Sequence, residues 1–230
     1  MQLTPEETLF SMTSWWKSLC ALNAQRLLRQ KLALNILLLA GSPAIPSRST
    51  RLLHHAGEAL ALLGHRSIKL HVRDLPARAL LHADFSEASL QHALALVADA
   101  DALVIATPIY KAAYSGVLKA FLDLLPQNGL HNKPILPIAT GGSQSHLLAL
   151  DYALRPVLAA LSAGHILPGV FATDAQVNWS NECGLVLDNT VARRLQQSVT
   201  QLAALLHARN TVTDTAHRVQ AVEMPSACSA

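Results

Sequence analysis

From Leu34 to Ala40 the chain is apolar at every position but Asn35, and Gly41-Ser42-Pro43 follows at once. A run this short, closed by turn residues, predicts a buried parallel strand that opens into a loop. The period then changes. Leu52, Leu53, Ala56, Leu60 and Leu63 recur at helical spacing between Thr50 and Leu63, with Ser49 as candidate N-cap and Gly64 as stop. Ser67 to Val72 alternates Ile68, Leu70 and Val72 with Lys69 and His71, the pattern of a half-buried strand. Arg73 to Phe85 is expected to be a long connection and Ser86 to Ala98 a helix. Asp101 to Thr107 (DALVIAT) predicts a second fully buried strand. Pro108 cannot donate to a ladder, so a loop is expected to begin there.

The alternation continues to the end of the periodic region. Tyr114 to Leu125 predicts a helix, Pro134 to Thr140 a strand ended by Gly141-Gly142, and His146 to Ser162 a helix. Gly164 to Phe171 predicts a fifth strand and Asn189 to His207 a closing helix. Strands alternating with helices predict an α/β fold, a doubly wound five-stranded parallel sheet. Right-handed crossovers then bring the Gly-, Ser- and Pro-rich segments after strands one, three and four to its carboxyl edge, where ligands bind in such sheets. One domain is expected over residues 34–208. Residues 1–33 form an extension whose Leu9, Trp15, Trp16, Leu19, Leu22, Leu27 and Leu28 have loosely helical spacing, and residues 209–230 a loose tail without periodicity.

Composition sharpens this picture. Hydrophobic residues make up 51% of the chain and charged ones only 14%, so apolar surface is left over once one core is filled, and a homo-oligomer is expected. The net charge is +3 and no five basic residues run together, which argues against nucleic acid as a partner. The longest low-charge stretches, Leu34 to Pro46 and Val157 to Asp174, are broken by Pro, Gly or polar residues, so no membrane span is predicted. The amino-terminal segment carries Glu6 and Glu7 and lacks a basic-then-apolar leader pattern, and a cytoplasmic protein is expected. Cys20, Cys183 and Cys228 are too far apart to suggest a disulfide frame or a zinc site, and the eleven histidines show no ligand spacing, so no metal site is expected. Between Ala21 and Glu182 there is neither Met nor Cys, where average usage would place about six.

Three loops carry candidate chemistry. The first, Gly41-Ser42-Pro43 through Ser47-Arg48-Ser49-Thr50, sets hydroxyls and a cation at a helix N-terminus, a fit for a phosphate dianion. The triphosphate loop G-x-x-x-x-G-K-[ST] and the dinucleotide pattern G-x-G-x-x-G are both absent, which leaves a mononucleotide phosphate. The second loop, Thr107 to Gly116, holds Pro108, Ile109, Tyr110, Lys111 and Tyr114, and a flat ring could stack there. The third, Thr140 to His146, offers Gly141, Gly142 and Ser143 as a close backbone approach to a planar ligand, with His146 within possible reach.

Four segments closely resemble one family: Ala40 to Arg48 (AGSPAIPSR), Ala106 to Lys119 (ATPIYKAAYSGVLK), Leu122 to Pro126 (LDLLP) and Ala139 to Pro156 (ATGGSQSHLLALDYALRP). It is the NADPH-dependent FMN reductase family of alkanesulfonate assimilation, and the resemblance spans roughly Leu34 to Gln176. It implies a flavodoxin-like sheet of order 2-1-3-4-5 and a homotetramer. It also implies reduction of FMN by NAD(P)H and delivery of reduced flavin to a partner flavin-dependent monooxygenase. Carried over residue by residue, Ser42, Ser47, Arg48, Ser49 and Thr50 are implied to hold the flavin phosphate. Pro108, Ile109, Tyr110 and Lys111 would lie along one side of the isoalloxazine, and Gly141, Gly142 and Ser143 along the other. Tyr114 is implied to sit in a π-type bulge opening the next helix and to pack at the tetramer interface. Relatives commonly carry Arg after Ser-Pro, where this chain has Ala44. Hydride transfer to flavin N5 needs no acid–base triad, so the catalytic assignments are Lys111, as a supporting charge or a pyridine-nucleotide contact, and the Gly142 amide, which with that of Gly141 is a donor toward flavin N1 and O2. Scarce sulfur in the chain suits a protein made when sulfate is short. Two other functions on this fold stay open: an FMN-holding quinone or azo-dye reductase, and a non-catalytic flavin-binding electron carrier.

Overall fold

The computed structural model describes residues 34–180 and 184–222, the side chains of 210–222 excepted. The extension expected at residues 1–33 and the last part of the expected tail, residues 223–230, lie outside the described residues.

In chain order the elements are β1 (Asn35–Ala40), α1 (Arg48–Leu62), β2 (Arg66–His71), α2 (Ala77–His82), α3 (Ala88–Asp99), β3 (Ala102–Tyr110), β4 (Ala113–Tyr114) and α4 (Gly116–Leu122). They continue with β5 (Pro134–Gly141), α5 (Arg155–Ala160), β6 (His165–Ile166), β7 (Val170–Thr173), β8 (Val177–Ser180), β9 (Gly184–Leu187) and α6 (Asn189–Val222). The parallel sheet runs β2-β1-β3-β5-β6, with β7 also paired to β5. Counting parallel strands alone, this is the expected order 2-1-3-4-5.

Side chains alternate across a strand, so each apolar run is shared between two cores. Leu37 and Leu39 of β1 join Leu103 and Ile105 of β3 under α3, α4 and α5, represented by Leu90, Val97, Phe121 and Leu158. Ile36, Leu38 and Ala40 face the other way, with Val104 and Ile138, against Leu52, Leu53, Ala56 and Leu60 of α1. Val191, Leu195, Val199, Leu202 and Leu206 of α6 complete that second core. The uninterrupted hydrophobicity of β1, β3 and β5 follows from burial on both faces. Each fully buried leucine is worth about 1.5–3 kcal/mol.

Several expectations need correction. The N-cap of α1 is Ser47, extended at φ −135°, whose Oγ accepts from Thr50 N; Ser49 is buried inside the first turn. Arg73 to Phe85 is not bare connection, because it contains α2. β3 does not stop before Pro108 but runs to Tyr110. Its β1 partner ends opposite Ala106, so from Thr107 onward β3 pairs in parallel on the β5 side only, a half-edge where proline is tolerated. The next helix begins at Gly116, not Tyr114, because Ser115 caps it by accepting from Leu118 N. Tyr114 lies in β4 instead.

The helix expected over His146 to Ser162 is broken into a short 3₁₀ turn (Gln144–His146), a π turn (Leu150–Leu154) and α5. Pro156 has no N–H to donate four residues back, which accounts for a widened turn immediately before it. The fifth strand is split into β6 and β7, with Pro168 in the gap between them. Arg155 spans these irregular parts, donating to Asp151 at 3.1 Å and to the carbonyl of Ile166 at 3.3 Å. The antiparallel pair β8–β9 was not anticipated, and α6 continues past His207 to Val222. Among the described residues no helix is long and apolar enough to cross a membrane.

Candidate functional site

Three loops leave the carboxyl edge of neighbouring parallel strands. The first follows β1, and Gly41 N donates to Ala106 O of β3 at 2.8 Å. Ser42 is buried, and its hydroxyl accepts from Ala44 N at 3.3 Å. Ser47 Oγ lies 3.0 Å from Ser49 Oγ and accepts from Thr50 N at 3.3 Å. Thr50 is 7% exposed, and its hydroxyl has no hydrogen-bond partner. The guanidinium of Arg48 stands 3.7 Å from the Asp174 carboxylate, both about half exposed. The loop therefore gathers Ser42, Ser47, Ser49 and Thr50 at the start of α1, with Arg48 shared with Asp174.

The second loop is a hairpin. Tyr110 pairs with Ala113, so Lys111 and Ala112 form a two-residue turn, both at left-handed φ, 49° and 64°. Such a turn favours Asn-Gly, and each L-residue with a Cβ held there costs about 1–2 kcal/mol. Tyr152 Oη donates to Ala112 O at 2.9 Å and pins the turn from the π segment. Ile109 is buried, whereas Tyr110 is 49% exposed and Lys111 is exposed. The tyrosine in a π turn is thus Tyr152 and not Tyr114, which is half buried in β4 with its phenol pushed up by burial.

Ser115 ties the second loop to the first. Its N–H donates to Thr107 Oγ1 at 3.0 Å, its Oγ accepts from Leu118 N, and its hydroxyl donates to Gly41 O. The third loop follows β5, whose Thr140 lies in register with Pro108. Gly141 is buried, and a Cβ placed there would stand 3.3 Å from Phe171 and 3.5 Å from Ile109. Gly142 opens outward, where an added Cβ would meet nothing within 4 Å. Ser143 Oγ caps the 3₁₀ turn by accepting from Ser145 N. His146 ends that turn with its Nδ1 buried and unpartnered. An unpartnered buried hydroxyl at a helix start and an open backbone face at Gly142 suit a phosphate tail and a flat ring. Among the described residues no three His, Cys, Asp or Glu side chains could hold a metal ion.

A cavity of about 570 Å³ adjoins the first loop along α1. Ser47 and Thr50 line it, but so do Arg51, His54 and Arg73, which no loop motif pointed to, and Trp179 of the unforeseen hairpin. Arg51 and Arg73 are single cations outside any recognisable spacing, so only the fold reveals that they share a wall. His54 and His71 meet edge to face at 5.5 Å. Burial holds both imidazoles below their ordinary value, helped by Lys69 at His54 and by Arg73 at His71.

A profile of the family described as NADPH-dependent FMN reductase matches residues 34–178. An FMN reductase (NADPH) of Pseudomonas putida is 51% identical over 142 residues, 62% of this chain and 72% of that one. An FMN reductase (NADPH) of Escherichia coli is 49% identical over 144 residues, 63% of this chain and 75% of that one. A second Pseudomonas putida relative, at 37% identity over 150 residues (63% of this chain, 79% of that one), is an NADH-dependent FMN reductase. Among solved structures, the apo form of an NADH:FMN oxidoreductase superposes with a TM-score of 0.69 at 38% identity, covering 75% of this chain and 89% of that one.

Proposed function

The chain belongs to the NADPH-dependent FMN reductase family, and from that premise we propose how its three loops carry out the reaction and what the product is for. The observation that carries the proposal is that the three loops leave one edge of the sheet within the matched residues, the first two joined through Gly41, Ala106 and Ser115 and the third set against the second where Gly141 faces Ile109. Ser42, Ser47, Ser49 and Thr50 receive the FMN phosphate with the N-terminus of α1, and Arg48 supplies the nearby cation. Pro108, Ile109, Tyr110 and Lys111 border one side of the flavin ring, while Gly141, Gly142 and Ser143 border the other. When bound, FMN accepts a hydride at N5 from the nicotinamide, and the hard chemistry is its own. The chain contributes orientation, exclusion of water, and two fixed electrostatic elements, the Gly142 amide and the Lys111 ammonium.

Two features support a flavin that leaves after reduction. Arg48 is shared with Asp174, and Ala44 stands where relatives commonly carry arginine. Reduced FMN then serves a partner flavin-dependent monooxygenase that desulfonates alkanesulfonates, in the cytoplasm. The sulfur-free stretch from Ala21 to Glu182 suits that setting. Exposed Tyr110, Leu148 and Tyr152 on neighbouring loops support self-association, with a homotetramer as the assembly. Residues 1–33 are dispensable for flavin reduction in this proposal.

Stopped-flow absorbance tests the reaction. Purified full-length protein is expected to be colourless and to bleach added FMN in repeated turnovers with NADPH. A yellow protein that holds FMN through gel filtration and reduces quinones in a ping-pong pattern would refute it.

A further inference from the structure

The cavity along α1 is larger than the flavin phosphate needs. At about 570 Å³ it has the size of a small-ligand site, whereas a phosphate would occupy only a fraction of it. Its charge is lopsided. Arg51 and Arg73 line it, while the one carboxylate in the lining, Glu58, is largely exposed and lies 3.8 Å from His55.

Arg73 is held in place. Its Nη1 donates to Ala44 O at 2.6 Å, its Nε stands 3.5 Å from the Asp74 carboxylate, and its side chain is only 18% exposed. Arg51 lies 4.1 Å over the ring of Trp179, a pairing that orders a planar cation against an aromatic face. Three polar atoms of lining residues are buried without a hydrogen-bond partner, Thr50 Oγ1, His54 Nε2 and Arg73 Nε. A buried polar group left unmatched costs free energy unless a ligand satisfies it. The cavity also shares Ser47 and Thr50 with the first loop, so its occupant lies beside the flavin phosphate.

We infer that this cavity is the adenosine 2'-phosphate subsite of NADPH, in which Arg51 and Arg73 bind the phosphate monoester dianion and Trp179 offers an aromatic surface to the purine. The inference rests on the proposed reductase function and specifies where its pyridine nucleotide is distinguished. Guanidinium forks suit a dianionic phosphate, whereas the one lining carboxylate that could accept from the free 2'-hydroxyl of NADH, Glu58, is turned largely to solvent beside His55. The relatives include both NADPH-named and NADH-named reductases, so the preference has to be set by residues such as these.

Two measurements on the full-length protein decide it. In calorimetric titration without flavin, adenosine 2',5'-bisphosphate is expected to bind at least about tenfold more tightly than 5'-AMP, and Arg51→Ala is expected to abolish that difference. In steady-state assays, Arg51→Ala and Arg73→Ala are each expected to lower the NADPH-over-NADH ratio of kcat/KM by about ten- to hundredfold. The ratio is internal to each variant, so a partly unfolded preparation does not distort it. Equal binding of the two nucleotides by the wild type, or an unchanged ratio in both variants, overturns the inference. So does a variant that loses FMN-over-riboflavin selectivity instead, because the anion would then be the flavin's own phosphate. Should the wild type reduce FMN with neither nucleotide, the reductase proposal falls on that result, while the titration still judges the cavity separately.

Discussion

Gly41→Ala is the sharpest test of how the first loop is held. A Cβ at position 41 would stand 2.7 Å from Leu118 Cβ and 3.1 Å from its Cγ and Cδ2, whereas carbon–carbon contacts settle at about 3.5–4.0 Å. The nearest of these atoms is fixed to the backbone of α4 and cannot swing aside. Leu118 is fully buried, and the Ser115 hydroxyl that caps α4 also donates to Gly41 O. The methyl therefore pushes the loop and the helix apart against a hydrogen bond joining them. Overpacking of this kind costs about 1–3 kcal/mol, which is roughly a five- to 150-fold loss in the folded-to-unfolded ratio. Urea unfolding followed by far-ultraviolet dichroism should show the midpoint falling by about 0.5–1 M. Gly142→Ala is the control, since its added methyl meets nothing, and it should unfold within about 0.5 kcal/mol of the wild type. Leu118→Ala keeps the Cβ that makes the closest contact and opens a cavity besides, so placed on Gly41→Ala it should lower the stability further rather than restore it. If Gly41→Ala unfolds together with Gly142→Ala, the tight junction between β1 and α4 is wrong.

Three further outcomes follow from other parts of the molecule. Ala112→Gly should stabilise the protein by about 0.5–1 kcal/mol in the same assay, because relief of the left-handed backbone exceeds the added freedom of glycine in the unfolded chain; a loss of stability would contradict the turn geometry. Burial holds His54, His65 and His71 below the ordinary value of 6.5, with His207 adding to the effect at His65, so near and below that value the unfolded chain binds more protons. Stability should therefore be full above about pH 7 and fall as the solution is acidified toward the lowered values. His65→Gln should flatten part of that slope, and a midpoint that rises on acidification would refute it. Arg48→Ala should lower the FMN-over-riboflavin ratio of kcat/KM by about tenfold, measured by flavin bleaching; an unchanged ratio would remove Arg48 from the phosphate site.

How much of this was legible in the chain depended on whether local pattern or long-range pairing decided each element. The strands β1, β3 and β5 are buried on both faces, so five or six residues of unbroken hydrophobicity announce each of them. The alternation with helices marks a doubly wound parallel sheet, while its strand order is implied by the family resemblance and not by the pattern. Pro108 misled because its local rule is sound, while its context, β1 ending opposite Ala106, is set by a strand some seventy residues earlier. Tyr114 reads as helical because the period of Leu118, Phe121 and Leu122 extrapolates backward, and only the Ser115 cap shows where it must stop. The π turn around Tyr152 leaves no periodic trace, although Pro156 hints at a disturbance. The loop hydroxyls and glycines could be named from sequence because they cluster. Arg51, Arg73 and Trp179 could not, since each is an isolated residue that only folding brings to a common wall.

The division of β1 between two cores makes that strand a kind of reading frame. Removing one residue ahead of Gly41 would send Leu37 and Leu39 to the layer that Ile36 and Leu38 occupy, and would rotate the loop that follows to the opposite side. Changes of length are thus tolerable only at the amino edge of the sheet, around turns such as that at Gly64. The carboxyl edge can vary in the identity of its side chains but not in their number.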